Sequence, residues 1–230
     1  MKKAFTLAEI LITLGIIGVV ASMTLPVLLN NSRNHEFQAA LRTAYSEIQQ
    51  GLNLMSADLG TTIVPSDYPR SALYPIYKKY FRKIYDCGYE TPDPSLCMAR
   101  ASNQSDENNF NNDLTYKTYT GHTLWTNPFD DGQFVLSNGM LVLIENPSDY
   151  TAHIFISVDV NGKKKQPNRL GQDLFTFQLM NNGKLLPMGA NGTYYDEATF
   201  CSKTSTSNIN GIACTNKALN DKDYFKNLPK

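Results

Sequence analysis

Residues 1–31 read MKKAFTLAEILITLGIIGVVASMTLPVLLNN, and after Glu9 no charge appears until Arg33. From Ile10 to Leu29 the run is about twenty residues, which at 1.5 Å per residue makes a helix about 30 Å long, the thickness of a hydrocarbon core. The stretch therefore reads as a membrane segment. Lys2 and Lys3 precede it, so the positive-inside rule leaves the amino terminus in the cytoplasm and the rest outside. The apolar core is too long for an ordinary cleaved secretory signal. A lipoprotein signal needs a cysteine just after the apolar run, and the first cysteine is Cys87. Glu9 is the anomaly, because a carboxylate in a spanning helix costs a few kcal/mol unless it is paired.

Ala4 and Phe5, then Glu9 four residues beyond the aromatic, then Gly18 and Pro26, form a pattern in FTLAEILITLGIIGVVASMTLP. The stretch resembles the amino-terminal signature of type IV prepilins and type II secretion pseudopilins, the prepilin-type cleavage and methylation motif. It covers roughly residues 1–30, and the remainder is similar only in architecture. The resemblance implies cleavage by a prepilin peptidase between Ala4 and Phe5, with residues 1–4 as leader and N-methylation of Phe5. It also implies assembly through helix 5–29 into a filament. In such a family the glutamate faces the positive amino terminus of a neighbouring subunit, so Glu9 would pair with the Phe5 amine. A buried carboxylate tolerated only when paired would then fix the register. Alanine stands at position 4 where the family generally has glycine. Gly15, Gly18, Ala21 and Ser22 are small enough to let neighbouring helices approach, and Pro26, lacking a donor, is expected to bend or locally open the helix.

Beyond Pro26 the pattern becomes periodic. Phe37, Leu41, Ala44, Tyr45, Ile48, Leu52 and Met55 recur at three and four residues, one face of an amphipathic helix, so residues 30–58 read as a helical continuation that ends near Gly60. Residues 59–230 read as a globular head. In it, 71–85 (SALYPIYKKYFRKIY) mixes basic and aromatic residues, which invites a nucleic-acid reading. Leu73, Ile76, Tyr77, Tyr80, Phe81 and Ile84 fall at helical spacing, however, and a short docked helix explains them first. Asn103 to Asp113 reads as an exposed polar loop. QFVLSNGMLVLIE reads as a hairpin turning at Asn138 and Gly139. HIFISVDV places Ile154, Ile156, Val158 and Val160 on one face, DLFTFQL repeats the pattern with Phe175, Phe177 and Leu179, and NNG at 181–183 turns the chain into KLLPM. The expectation is an α+β, pilin-like fold: a long amino-terminal helix packed on an antiparallel meander, with a disulfide-closed carboxy-terminal region.

The chain has 21 basic and 21 acidic residues in 230, so no overall field draws it to nucleic acid or an acidic surface. The four cysteines lack zinc spacing. They permit three pairings, of which Cys87–Cys97 with Cys201–Cys214 closes the shortest loops, and such bonds persist outside the cytoplasm. Asp159, Asn161 and Asp173, in DVNGKKKQPNRLGQD, are candidate calcium ligands, as oxygen donors around a glycine-containing loop. The run lacks the EF-hand spacing, and a type I′ turn at Asn161 and Gly162 in a polar loop accounts for most of it. Asp130 and Asp131 in NPFDDG read as a turn. His35, His122 and His153 stand in no catalytic motif, and no GxSxG, HExxH or phosphate loop occurs, so no enzyme and no resident cofactor is expected.

The reading is a structural subunit of a type II secretion pseudopilus or type IV pilus. It is single-pass in the inner membrane with an extracytoplasmic head, then incorporated into a filament. Its partners would be prepilin peptidase, other pilin or pseudopilin subunits, inner-membrane assembly machinery, and membrane lipid before assembly. Two alternatives stand beside it: a minor pilin whose head binds DNA or a surface, and a membrane-anchored extracytoplasmic binding domain or hydrolase.

Overall fold

The computed structural model describes residues 6–89, 93–99, 115–146 and 153–229. The polar run expected as a loop at Asn103 to Asp113 lies outside these residues. The chain divides into two compact units, Met1–Glu36 and Phe37–Lys230. The first element, α1 (Leu7–Leu59), is 53 residues long and includes Pro26. It stops where the sequence loses its period: Gly60 takes φ +67° and the Thr61 N–H reaches back to the Ser56 carbonyl at 3.2 Å, satisfying a terminal acceptor.

In the first unit the helix from Leu7 to Leu25 is long and apolar enough to cross a membrane, and its large side chains are exposed. Its hydroxyls are internally satisfied. Thr13, Ser22 and Thr24 donate to the carbonyls of Ile10, Val19 and Val20 at 2.8–2.9 Å, which removes the polar penalty that water would otherwise have to relieve.

The second unit is built on a six-stranded antiparallel sheet in strict meander order. Its strands are β1 (Lys83–Gly88), β2 (Gln133–Leu136), β3 (Leu141–Glu145), β4 (Ile154–Asp159), β5 (Leu174–Leu179) and β6 (Leu185–Pro187). Phe37, Leu41, Ala44, Ile48, Leu52 and Met55 are buried in one cluster with Ile154, Ile156, Val158, Val160, Phe175, Phe177 and Leu179. The stripe and the strand faces read from the sequence therefore meet. Tyr45 stacks on Phe177 with ring centroids 5.3 Å apart and donates its hydroxyl to the Leu185 carbonyl at 3.1 Å. The Gln49 amide oxygen accepts the Leu185 N–H at 2.8 Å.

Three features correct or extend the sequence expectation. Residues 71–85 are not one helix. A short α2 (Leu73–Tyr77) and a 3-10 turn (Lys78–Tyr80) lead into β1, and Ile84 faces solvent. The aromatic residues serve the core here: Tyr77 donates to the Ile48 carbonyl at 2.5 Å, and Phe81 packs edge-on against Tyr77 and over Gly51, where a Cβ would collide with its ring. Secondly, the sheet is buried on both faces, as the near-continuous apolar runs of β2 to β5 require. A second cluster joins Val135, Leu141, Leu143, Phe155 and Leu174 to residues from flanking segments, among them Tyr116, Met188, Ile212 and both members of the Cys87–Cys97 disulfide. Thirdly, the Cys201–Cys214 loop, polar in sequence, contributes Ile212 and Ala213 to that core. The helix α3 (Glu197–Phe200) precedes it and α4 (Thr215–Asn220) follows it. Both disulfides have the shortest-loop pairing.

If the stripe carries the head, Leu41→Ala should destabilise it by about 2–5 kcal/mol through lost burial and a cavity. Leu54→Ala, at a half-exposed position of the same helix, should stay within about 0.5 kcal/mol. Denaturant titration of the full chain in detergent micelles, followed by tyrosine and tryptophan fluorescence, would check the pair.

Candidate functional site

Two groups of residues singled out in the sequence can be placed. In the first, Ala4 and Phe5 lie outside the described residues. Glu9 sits in the first turn of α1, and its Oε2 accepts the Thr6 N–H at 2.8 Å and the Thr6 hydroxyl at 2.9 Å, while Thr6 Oγ1 accepts the Glu9 N–H at 3.2 Å. This is a reciprocal capping box, and its signal, threonine followed three residues later by glutamate, stood in the sequence as TLAE. Glu9 thus has a local role within its own chain, holding donors that the helix start leaves unpaired. Both side-chain bonds end on Oε2. Further along, nothing lies within 4 Å of a Cβ built on Gly15 or Gly18, so the small-residue face is open.

The second group is the loop from Val160 to Asp173 between β4 and β5. The expected type I′ turn is absent, since Gly162 has φ +76° but Asn161 is not left-handed, and a fourteen-residue loop connects the strands. A Cβ at Gly162 would run into the Gly139 carbonyl oxygen, so glycine is needed there for space as well as for backbone angle. Asp159 is fully buried. Its Oδ1 accepts the N–H groups of Asn161 (3.2 Å) and Gly162 (2.9 Å), and its Oδ2 accepts the Tyr116 hydroxyl at 2.5 Å. Asp173, also fully buried, accepts the Asn168 N–H on Oδ2 at 2.7 Å and the Arg169 N–H on Oδ1 at 2.6 Å. Asn168 itself is left-handed, at φ 51°, and its Nδ2 donates to the Lys163 carbonyl at 2.9 Å. The Lys163 ammonium reaches across to the Cys97 carbonyl at 2.8 Å, tying the loop to the first disulfide.

The three residues proposed as calcium ligands do converge, since Asp173 feels both the Asp159 charge and the Asn161 side chain. Every carboxylate oxygen of Asp159 and Asp173 already receives a donor, so the visible work of the pair is to hold an irregular backbone. Burial raises the Asp159 carboxyl, opposed by Tyr116, the Asn161 and Gly162 N–H groups and Lys163. Burial and then the Asp159 charge raise Asp173. Asn161 Oδ1 and Asn168 Oδ1 are buried without a hydrogen bond.

The pair sets a pH dependence. An unfolded aspartate releases its proton near pH 4, while the folded pair holds one to higher pH. Between those limits the folded state binds more protons, so stability falls as pH rises from about 4 towards neutrality. The expected outcome is a higher unfolding midpoint at pH 5 than at pH 7.5, with a smaller difference in Asp173→Asn. Equal pH slopes in the two proteins, measured by thermal circular dichroism, would exclude Asp173 as the source.

No protein-family model, no curated protein and no solved structure matches this chain.

Proposed function

We propose that this chain is a prepilin-like structural subunit of a type II secretion pseudopilus or type IV pilus. The observation that carries the reading is the Leu7–Leu25 span, exposed along its length and headed by a carboxylate. Such a surface needs lipid or neighbouring helices to cover it. In this reading the chain is inserted in the inner membrane with its head outside, and prepilin peptidase cuts between Ala4 and Phe5. The chain is the substrate of that reaction, not a catalyst. After Phe5 is methylated, α1 leaves lipid to pack against other subunits. Glu9 Oε1, which the capping box does not use, accepts the Phe5 amine of a neighbour, and the open faces at Gly15 and Gly18 admit its helix. The aromatic side chains of 73–81 are largely taken up by the head core, which supports a structural role over a base-stacking one.

Intact mass and amino-terminal sequencing of the protein from its native membrane test processing. A chain starting at methylated Phe5 is expected, and an uncut Met1 terminus would overturn the reading.

Two substitutions separate the roles of Glu9. Glu9→Gln keeps a residue that the capping box accepts but removes the charge, whereas Glu9→Val removes both. If the charge pairs with a neighbour, both variants insert in the membrane and both fail to enter filaments. Normal filament incorporation of Glu9→Gln, read by immunoblot of sheared or cross-linked filaments, would leave only the cap.

A further inference from the structure

A third set of carboxylates lies away from the 159–173 loop. Asp130 and Asp131 lead into β2, and Glu145 ends β3. The pairing Gln133↔Leu143 extends past the strand ends through Asp131 N–H to the Ile144 carbonyl (2.9 Å) and Ile144 N–H to the Gly132 carbonyl (2.8 Å). Asp131 and Gly132 thus both face Ile144, and this extra residue at the head of the hairpin brings the two aspartates up to Glu145. One oxygen from each of Asp130, Asp131 and Glu145 lies within 4.8 Å of the others.

Two of the three groups are buried: Asp131 is 3% and Glu145 9% exposed. Asp131 is held by the Ser71 hydroxyl on Oδ1 at 2.8 Å and the Asn146 N–H on Oδ2 at 2.9 Å. Glu145 accepts the Asp130 N–H, but its Oε2 is buried with no hydrogen-bond partner at all. The Arg70 guanidinium approaches Asp131 Oδ1 only to 3.9 Å, from a side chain 60% exposed. A buried Glu145 oxygen left without a hydrogen-bond partner is costly.

We propose that Asp130, Asp131 and Glu145 form a calcium-binding site. Hard oxygen donors select a hard cation, and carboxylates select a divalent one. Two oxygens on one ion cannot be further apart than twice the metal–oxygen distance, which is about 4.6–5.2 Å for calcium and about 4.2 Å for magnesium. Spacings within 4.8 Å lie inside the calcium limit. Each carboxylate oxygen can serve a hydrogen-bond donor and an ion together, so the Ser71 and Asn146 contacts to Asp131 orient the ligand and do not block it. Water supplies the remaining coordination from the side of Asp130, which is only partly buried. The site stands independently of the filament reading.

The test uses the full chain in detergent micelles, stripped with EDTA and then given calcium chloride or magnesium chloride. Bound calcium is measured by equilibrium dialysis and the unfolding midpoint by circular dichroism. At a concentration about 100 times Kd, calcium should raise the midpoint by about 5 °C, and magnesium by less. Asp130→Asn and Glu145→Gln should each weaken binding at least tenfold. Asp130→Asn decides the matter if Glu145→Gln fails to fold, because position 130 is partly solvated. Failure of the parent to bind calcium would overturn the site. So would undiminished binding in Asp130→Asn together with loss in Asp173→Asn, which would assign the ion to the 159–173 loop.

Discussion

The head depends on one contact: the buried stripe from Phe37 to Met55 lying on the face of β4 and β5. A sheet apolar on both faces cannot stay in water, and this one receives two covers of different kinds. One is a regular helix with residues at fixed spacing. The other is assembled from short segments, turns and the Cys87–Cys97 disulfide. The helical cover is also pinned by polar groups, since Tyr45 and Gln49 bond both backbone groups of Leu185. Register between helix and sheet is thereby fixed by direction as well as by burial.

What could be read from the sequence follows the same division. The helix stripe, the strands from β2 to β6 and the end of α1 near Gly60 have strong local signals: spacing of three and four, alternation, and a glycine stop. The second cover does not. Ile212 and Ala213 sit in SKTSTSNINGIA, where no period marks them, and their burial comes from being gathered into the second cluster with Leu170, Leu174 and Met188. The 71–85 segment misleads for a related reason. Its helical spacing continues through Ile84, but β1 is set by pairing with β2 across a long insertion, a non-local contact that periodicity cannot register. The convergence of Asp130, Asp131 and Glu145 likewise follows from how the two ends of the hairpin close on each other, and only the hairpin itself was visible.

Ionisable groups in this chain are handled in contrasting ways. Glu9 lies exposed and closes a cap with Thr6. Asp159 and Asp173 are sealed in the head and satisfied by backbone N–H groups, so they stiffen a loop that has a left-handed Asn168 and no regular structure. A carboxylate thus caps a helix in one place and replaces secondary structure in another, and local sequence alone distinguishes these only where the capping spacing is present.

The meander has two edge strands, and among the described residues neither is a good template for another strand. At one, β1 carries register irregularities between Lys83 and Tyr85 and between Asp86 and Gly88, which twist and interrupt the row of backbone groups. At the other, β6 is three residues long and ends in Pro187, which has no N–H to offer. A sheet bounded in this way resists growth by strand addition. Copies of this protein brought close together at high density are thereby steered away from merging their sheets.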